Sequence, residues 1–158
     1  DHMDRINKII LNGAEEEPVY AKKRGIVLLL TVGDHIYISG HGPEDQITGI
    51  PKFRGRIGQD LTLEEGYAAA RECAIIILGA LKNTLGSLDR IEQFVKVFAF
   101  VNCAEEFNSV EEVMDGFSDT ITDVLEERGY HTRTVMGTHN LPNNNIPVEV
   151  EAIIKIRS

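Results

Sequence analysis

A chain of 158 residues with 42% apolar and 26% charged side chains can bury a sizeable core, and that mix excludes a disordered or fibrous chain. A net charge of −9 and a pI of about 5.0 argue against a broad phosphate-binding face, so no nucleic-acid partner is expected. Two cysteines, Cys73 and Cys103, and no long apolar run or secretory leader exclude a disulfide framework and a membrane partner, and point to a cytoplasmic chain.

Asp1-His2-Met3 reads in part as a cloning remnant before a natural start at Met3, which leaves residues 4–158 as a single domain. Residues 4–12 carry apolar side chains at a spacing too short to assign. Glu15 to Tyr20 is a polar approach segment. Residues 25–39 read as a β-hairpin: an aliphatic strand, a turn at Gly33-Asp34, and a return strand His35-Ile-Tyr-Ile-Ser39. Gly40 to Gly58 is a long connection rich in glycine and proline, either a functional loop or a wandering edge strand. Gly40-His-Gly42 lacks the third glycine and the following helix of a dinucleotide loop.

Thr62-Leu-Glu-Glu65 is a capping box opening a long helix. Its stripe is Tyr67, Ala70, Ala74, Ile77, Leu78, Leu81 and Leu85, and Gly86 is its stop. Arg90 to Val101 is a strand with apolar side chains on nearly both faces, as expected of a strand covered on both sides. Ser109-Val-Glu-Glu112 is a second capping box. The helix behind it carries Val110, Val113, Met114, Phe117, Ile121, Val124 and Leu125, and ends at Gly129.

The run from His131 to Arg157 reads as two strands joined by a polar turn. In the second of them, Glu149 and Glu151 alternate with Val148, Val150 and Ala152 and so share a face. Like charges that close need a cation, a partner chain or water, and Arg133 in the adjoining strand is the natural partner. The order strand, strand, helix, strand, helix, strand, strand predicts an α+β two-layer sandwich, a mostly antiparallel sheet with both helices on one face. The sheet's other face, with Ile153 and the second side of strand 91–101, predicts an oligomer.

The run Arg133-Thr-Val-Met-Gly-Thr-His-Asn-Leu141-Pro142, followed after a polar turn by Val148-Glu-Val-Glu-Ala-Ile153, resembles the signature of the RidA/YjgF family. That family is also labelled L-PSP endoribonuclease and translation inhibitor. Ile38-Ser-Gly40 is similar to its Ser-Gly corner, and Asn102 to Phe107 to its entry into the second helix. The resemblance implies a chorismate-mutase-like fold in a homotrimer, with clefts between subunits. It also implies hydrolysis of 2-imino or enamino acids to 2-oxo acids and ammonia, with no cofactor. By this resemblance Arg133 grips the substrate carboxylate and Glu149 positions the attacking water. Ser39, Gly40, His41 and Val135 line the pocket, and Tyr20 matches the family's N-terminal tyrosine. The chain departs from the family pattern at His41, Val135 and Glu111, where the family carries glutamine, cysteine and asparagine, and residues 40–60 form a longer loop.

Arg133 suits a carboxylate because its planar guanidinium offers two parallel donors, and Glu149 suits a water as base or orienter. The same two residues could form a structural cross-strand ion pair, and His41 could relay protons or have no special role. No zinc spacing and no Gly-x-Ser-x-Gly elbow occurs, and Cys103 reads as a small buried residue. Two functions follow: a small cofactor-free deaminase, or a non-catalytic protein of the same fold that binds a small carboxylate.

Overall fold

The computed structural model describes residues 25–45 and 47–158. Among these residues five strands form one sheet: β1 (Leu29–Val32), β2 (His35–His41), β3 (Ile91–Asn102), β4 (Thr132–Thr138) and β5 (Val148–Ile156). Two long helices, α1 (Leu63–Leu85) and α2 (Val110–Leu125), share a core with one face of it. The spatial order is β1-β2-β5-β3-β4. All neighbours are antiparallel except β3 and β4, which are parallel.

Local chemistry explains the boundaries. β1 and β2 turn at Gly33, whose φ of +61° suits a residue without a Cβ. Both halves of the first capping box form: Thr62 Oγ1 accepts from Glu65 N at 3.1 Å, and Glu65 Oε1 accepts from Thr62 N at 3.1 Å. Gly86, with φ +83°, closes the helix by donating to the Lys82 carbonyl. The second predicted box does not form. Ser109 has ψ of 40°, outside the extended region an N-cap needs, and its side chain makes no cap bond. The α-helix ends at Leu125 and a 3₁₀ turn, Glu126–Gly129, carries the chain on to the predicted stop.

α1 is buried beyond its predicted stripe. Ile75 and Ile76 are as inaccessible as Ile77 and Leu78, because α2 and the 40–60 connection cover flanks that the sheet does not. In β3 the inward residues Val97, Ala99 and Val101 are fully buried. Phe98 and Phe100 stand on the other face with ring centroids 4.9 Å apart. Lys96, Phe98, Glu151 and Ile153 line a shallow groove of about 130 Å³ on that outer face.

The predicted C-terminal hairpin is corrected. β4 and β5 do not pair, because β3 lies between them. β4 returns through α2 to the far edge of β3, the crossover that a parallel pair requires. The polar turn then arches over the end of β3 to deliver β5 to its other edge. Asn102, the last residue of β3, anchors the arch: its N–H donates to Pro147 O at 2.8 Å, and its Nδ2 to Asn145 Oδ1 at 2.8 Å and Ile146 O at 3.1 Å. The tight path puts Asn143, Asn144 and Asn145 in the left-handed region, at φ of 50°, 66° and 65°. Asparagine tolerates that region better than most side chains.

The 40–60 connection docks on this arch. Asn143 Nδ2 donates to Gly49 O at 3.0 Å, Gly55 N to Asn145 O at 2.8 Å, and Arg56 Nε to His139 O at 2.8 Å. Lys52 pairs with the buried Glu72 of α1 at 3.0 Å. The segment is thus an ordered loop packed on the sheet's end, not an edge strand of the sheet.

Candidate active site

Register places the two central residues. Arg133 is opposite Val97, which faces the helices; Glu149 is opposite Phe100, which faces away from them. Partners directly opposite share a face. Arg133 and Glu149 therefore stand on opposite faces of the sheet within one chain, and the expected cross-strand pair between them does not occur.

Arg133 lies at the sheet edge, its side chain 19% exposed. Its Nη1 donates to Asp115 Oδ1 at 3.0 Å and to Ser118 Oγ at 3.1 Å, both on α2. Its Nε and Nη2 have no hydrogen-bond partner among the described residues. That edge is the fork a carboxylate takes in two parallel bonds. Val135, two residues on, shares the helix-side face and packs against the core.

Glu149 is half buried beneath the Ser-Gly corner. A Cβ on Gly40 would sit 2.9 Å from Glu149 Oε1 and 3.0 Å from its carboxyl carbon, so any side chain at residue 40 would displace the carboxylate from this position. Burial raises the Glu149 pKa above its ordinary 4.5, and the charges of Glu44 and then Glu151 push it further in the same direction. Glu44 is raised too, chiefly by burial, against a lowering hydrogen bond from Asn143. Ser39 closes the corner from behind, its Oγ donating to Val27 O at 2.7 Å across the β1 edge.

The structure brings Gly40 and Glu149 together and leaves His41 apart. His41 pairs with Val150, on the helix side, and is 6% exposed. Its Nδ1 lies 2.6 Å from Ser39 O, which can only accept, so Nδ1 carries the proton. Burial lowers its pKa and keeps the ring neutral. Tyr20 lies outside the described residues. Glu111 is exposed on the first turn of α2.

Sequence reasoning missed Asp115 and Ser118. They are three residues apart on α2, so they neighbour one another on the helix surface facing Arg133. That spacing was the available signal, and the apolar stripe beside it drew attention away. Among the described residues no group of three or more His, Cys, Asp or Glu is placed to hold a metal ion. Burial raises both thiols, Cys73 well above its ordinary value, so neither is an activated nucleophile. Among those residues no helix is long and apolar enough to cross a membrane.

A mixed sheet with two helices sharing its core, an arginine fork at one edge and a glutamate under a Ser-Gly corner define a small α+β protein of the chorismate-mutase-like kind. The chain belongs to the family described as "YjgF/chorismate_mutase-like, putative endoribonuclease", whose model matches residues 8–151. It is 36% identical over 127 residues to Protein TCP17 of Trypanosoma cruzi, a match covering 80% of this chain and 78% of the relative. Its fold is similar to that of Atu1372 from Agrobacterium tumefaciens, a protein of unknown function (TM-score 0.81, 29% identity, covering 99% of this chain and 95% of that one). It is also similar to a structure from Shewanella oneidensis described as "a putative endoribonuclease" (TM-score 0.75, 25% identity, covering 86% and 96%). RidA-type folds are thus the chain's structural relatives.

Proposed function

We propose that the chain hydrolyses reactive 2-imino acids to 2-oxo acids and ammonia, in clefts between copies of itself in a homotrimer, without a cofactor. The observation that carries this reading is the open Nε/Nη2 edge of Arg133, part-buried and ready for a carboxylate. Because Glu149 stands on the other face, the cleft that uses both residues takes Arg133 from one copy and Glu149 from the next. Ser39 and Gly40 then line the pocket beside Glu149, while Val135 forms its floor beside Arg133. Tyr20 is assigned to the same cleft by its sequence match.

The chemistry needs little beyond placement. Arg133 fixes the substrate by its carboxylate. Glu149 accepts a proton from water as the oxygen adds to the iminium carbon, giving a carbinolamine. It returns that proton to the nitrogen. As the C–N bond breaks, the carbinolamine hydroxyl gives its proton back to the Glu149 carboxylate, leaving the carbonyl and ammonia, and the departing ammonia carries that proton away as ammonium. The ionised form of Glu149 is the active one, so turnover falls as pH drops through its raised pKa. Glu44→Gln removes one of the charges holding that pKa up. The acid limb of kcat against pH then moves to lower pH, and an unmoved limb would separate Glu44 from Glu149.

The direct test generates a 2-imino acid in place with an amino-acid oxidase and adds semicarbazide as a competing trap. Wild type suppresses semicarbazone formation and Arg133→Ala does not; equal suppression by both proteins removes the arginine from the reaction. A second reading, carboxylate binding without turnover, is favoured by the separation of Arg133 and Glu149 on opposite faces, since a lone chain offers only the clamp. Ligand-dependent melting with no effect on the trap would select it. RNA cleavage is disfavoured by the net charge of −9.

A further inference from the structure

The side of Arg133 turned away from the open fork is held by a chain of hydrogen bonds that runs through three elements. His131 Nδ1 lies 2.6 Å from Gly129 O, and His131 Nε2 lies 2.9 Å from Ser118 Oγ. Ser118 Oγ in turn lies 3.1 Å from Arg133 Nη1, whose other contact is Asp115 Oδ1 at 3.0 Å.

The donors and acceptors allow one polarity for the neutral ring. A carbonyl only accepts, so the Nδ1 of His131 carries the proton and gives it to Gly129 O. Its Nε2 is then an acceptor, and the only proton available to it is the Ser118 hydroxyl proton. The Ser118 oxygen is left with lone pairs alone to offer, and they face the Arg133 guanidinium. Burial holds His131 neutral, with the Arg133 charge acting in the same direction and the Gly129 bond opposing. Phe94 and Phe117 pack edge-on against the ring, with centroids 5.9 and 6.4 Å away, so it has little freedom to turn.

Both Nη1 protons are thereby spent on α2, on a carboxylate and on a hydroxyl whose direction is set. What remains is the Nε/Nη2 edge, aimed outward at the sheet's margin. We propose that Ser118, oriented by His131, is a positioning residue that fixes the Arg133 fork for a ligand carboxylate. Asp115 is its partner on the other Nη1 proton. Without Ser118 the guanidinium pivots about the single Asp115 contact, and the two-point grip on the carboxylate loosens. The inference rests on the carboxylate-clamp reading of Arg133.

The test is calorimetric titration of the 158-residue chain with 2-oxobutyrate as probe. Ser118→Ala binds about tenfold more weakly, the scale of one hydrogen bond to a charged group, with assembly size and melting temperature unchanged. Ser118→Thr, which keeps the hydroxyl, binds as wild type. In an Arg133→Ala background, Ser118→Ala changes nothing further, because the two act through one fork. His131→Phe keeps a ring between Phe94 and Phe117 but removes the acceptor. It weakens binding about threefold by freeing the Ser118 rotor, and it reads the same chain should Ser118→Ala fold poorly. If Ser118→Ala and His131→Phe bind like wild type while Arg133→Ala does not, the positioning role is overturned and the clamp survives. If Arg133→Ala binds 2-oxobutyrate like wild type, or wild type does not bind it, the clamp itself falls and this inference with it.

Discussion

Gly116→Ala lowers the melting temperature by about 6 °C. Gly116 lies where α2 crosses α1, and a Cβ there would run into the Tyr67 carbonyl oxygen, with Tyr67 C at 2.9 Å and Tyr67 Cα at 3.2 Å. The obstacle is backbone, which cannot rotate aside as a side chain can, so the two helices must separate. Overpacking of this kind costs about 3 kcal/mol, sometimes more. Alanine returns up to about 1 kcal/mol through its better helix propensity. The net loss of about 2 kcal/mol corresponds to about 6 °C at roughly 3 °C per kcal/mol for a chain of this size. Thermal unfolding followed by circular dichroism reads it. A melting temperature at or above wild type would show slack between the helices and defeat the argument. Tyr67 ties the same crossing from its other end, its hydroxyl donating to Asp119 Oδ2 at 2.7 Å, which raises the phenol pKa to about 12.

Glu149→Gln reduces kcat about a thousandfold, within the range for loss of a general base, and leaves 2-oxobutyrate affinity within about twofold. The amide has the shape of the carboxylate, so it fits under Gly40, but it takes no proton from water. The same change lifts the repulsion from Glu44 and Glu151, and the protein melts no lower than wild type. Activity and stability thus move in different directions, which separates loss of chemistry from loss of fold. Steady-state turnover of oxidase-generated imino acid together with a melting curve makes the comparison. A variant that keeps a tenth or more of wild-type turnover would move the base elsewhere.

The parts of the fold legible in the sequence were those a single periodicity decides. Alternation along 148–156 put Val148, Val150, Ala152 and Ile154 inward and Glu149 and Glu151 outward, as observed. The helical stripes located α1 and α2 because every third or fourth residue must meet the sheet. Pairing was not legible in the same way, because alternation tells a strand its faces but not its neighbours. β3 and β5 are long and apolar enough to satisfy one another, and β4 was displaced to the edge. The clue lay in Asn143-Asn-Asn145, three residues suited to left-handed backbone, and in a connection too long for a tight hairpin turn.

The site divided along the same line. Gly40 beside Glu149 followed from the family resemblance, and the structure adds that a side chain there would push the Glu149 carboxylate aside. Arg133 was expected to partner Glu149 across the strands, and its partner within the chain is instead Asp115. An ion pair between a helix and a strand depends on packing that no local pattern records. Ser109 shows the converse: a sequence that satisfies the capping-box rule fails it where the backbone holds the cap residue at a ψ of 40°.

The position of β5 has a consequence for synthesis. It is made after the other four described strands, yet it sits between β2 and β3, so the sheet has no centre until residue 156 has left the ribosome. Until then no strand joins the β1–β2 hairpin to the β3–α2–β4 unit. The outward Phe98 and Phe100 and the inward Val97 and Val101 of β3 wait unpaired on that side. At about 5–20 residues per second, the interval between completing β3 and completing β5 is several seconds. During that time the nascent chain presents an apolar strand with an open edge, a surface prone to pair with other chains. Slowing translation over residues 103–147 should therefore reduce soluble yield more than slowing it over residues 42–62.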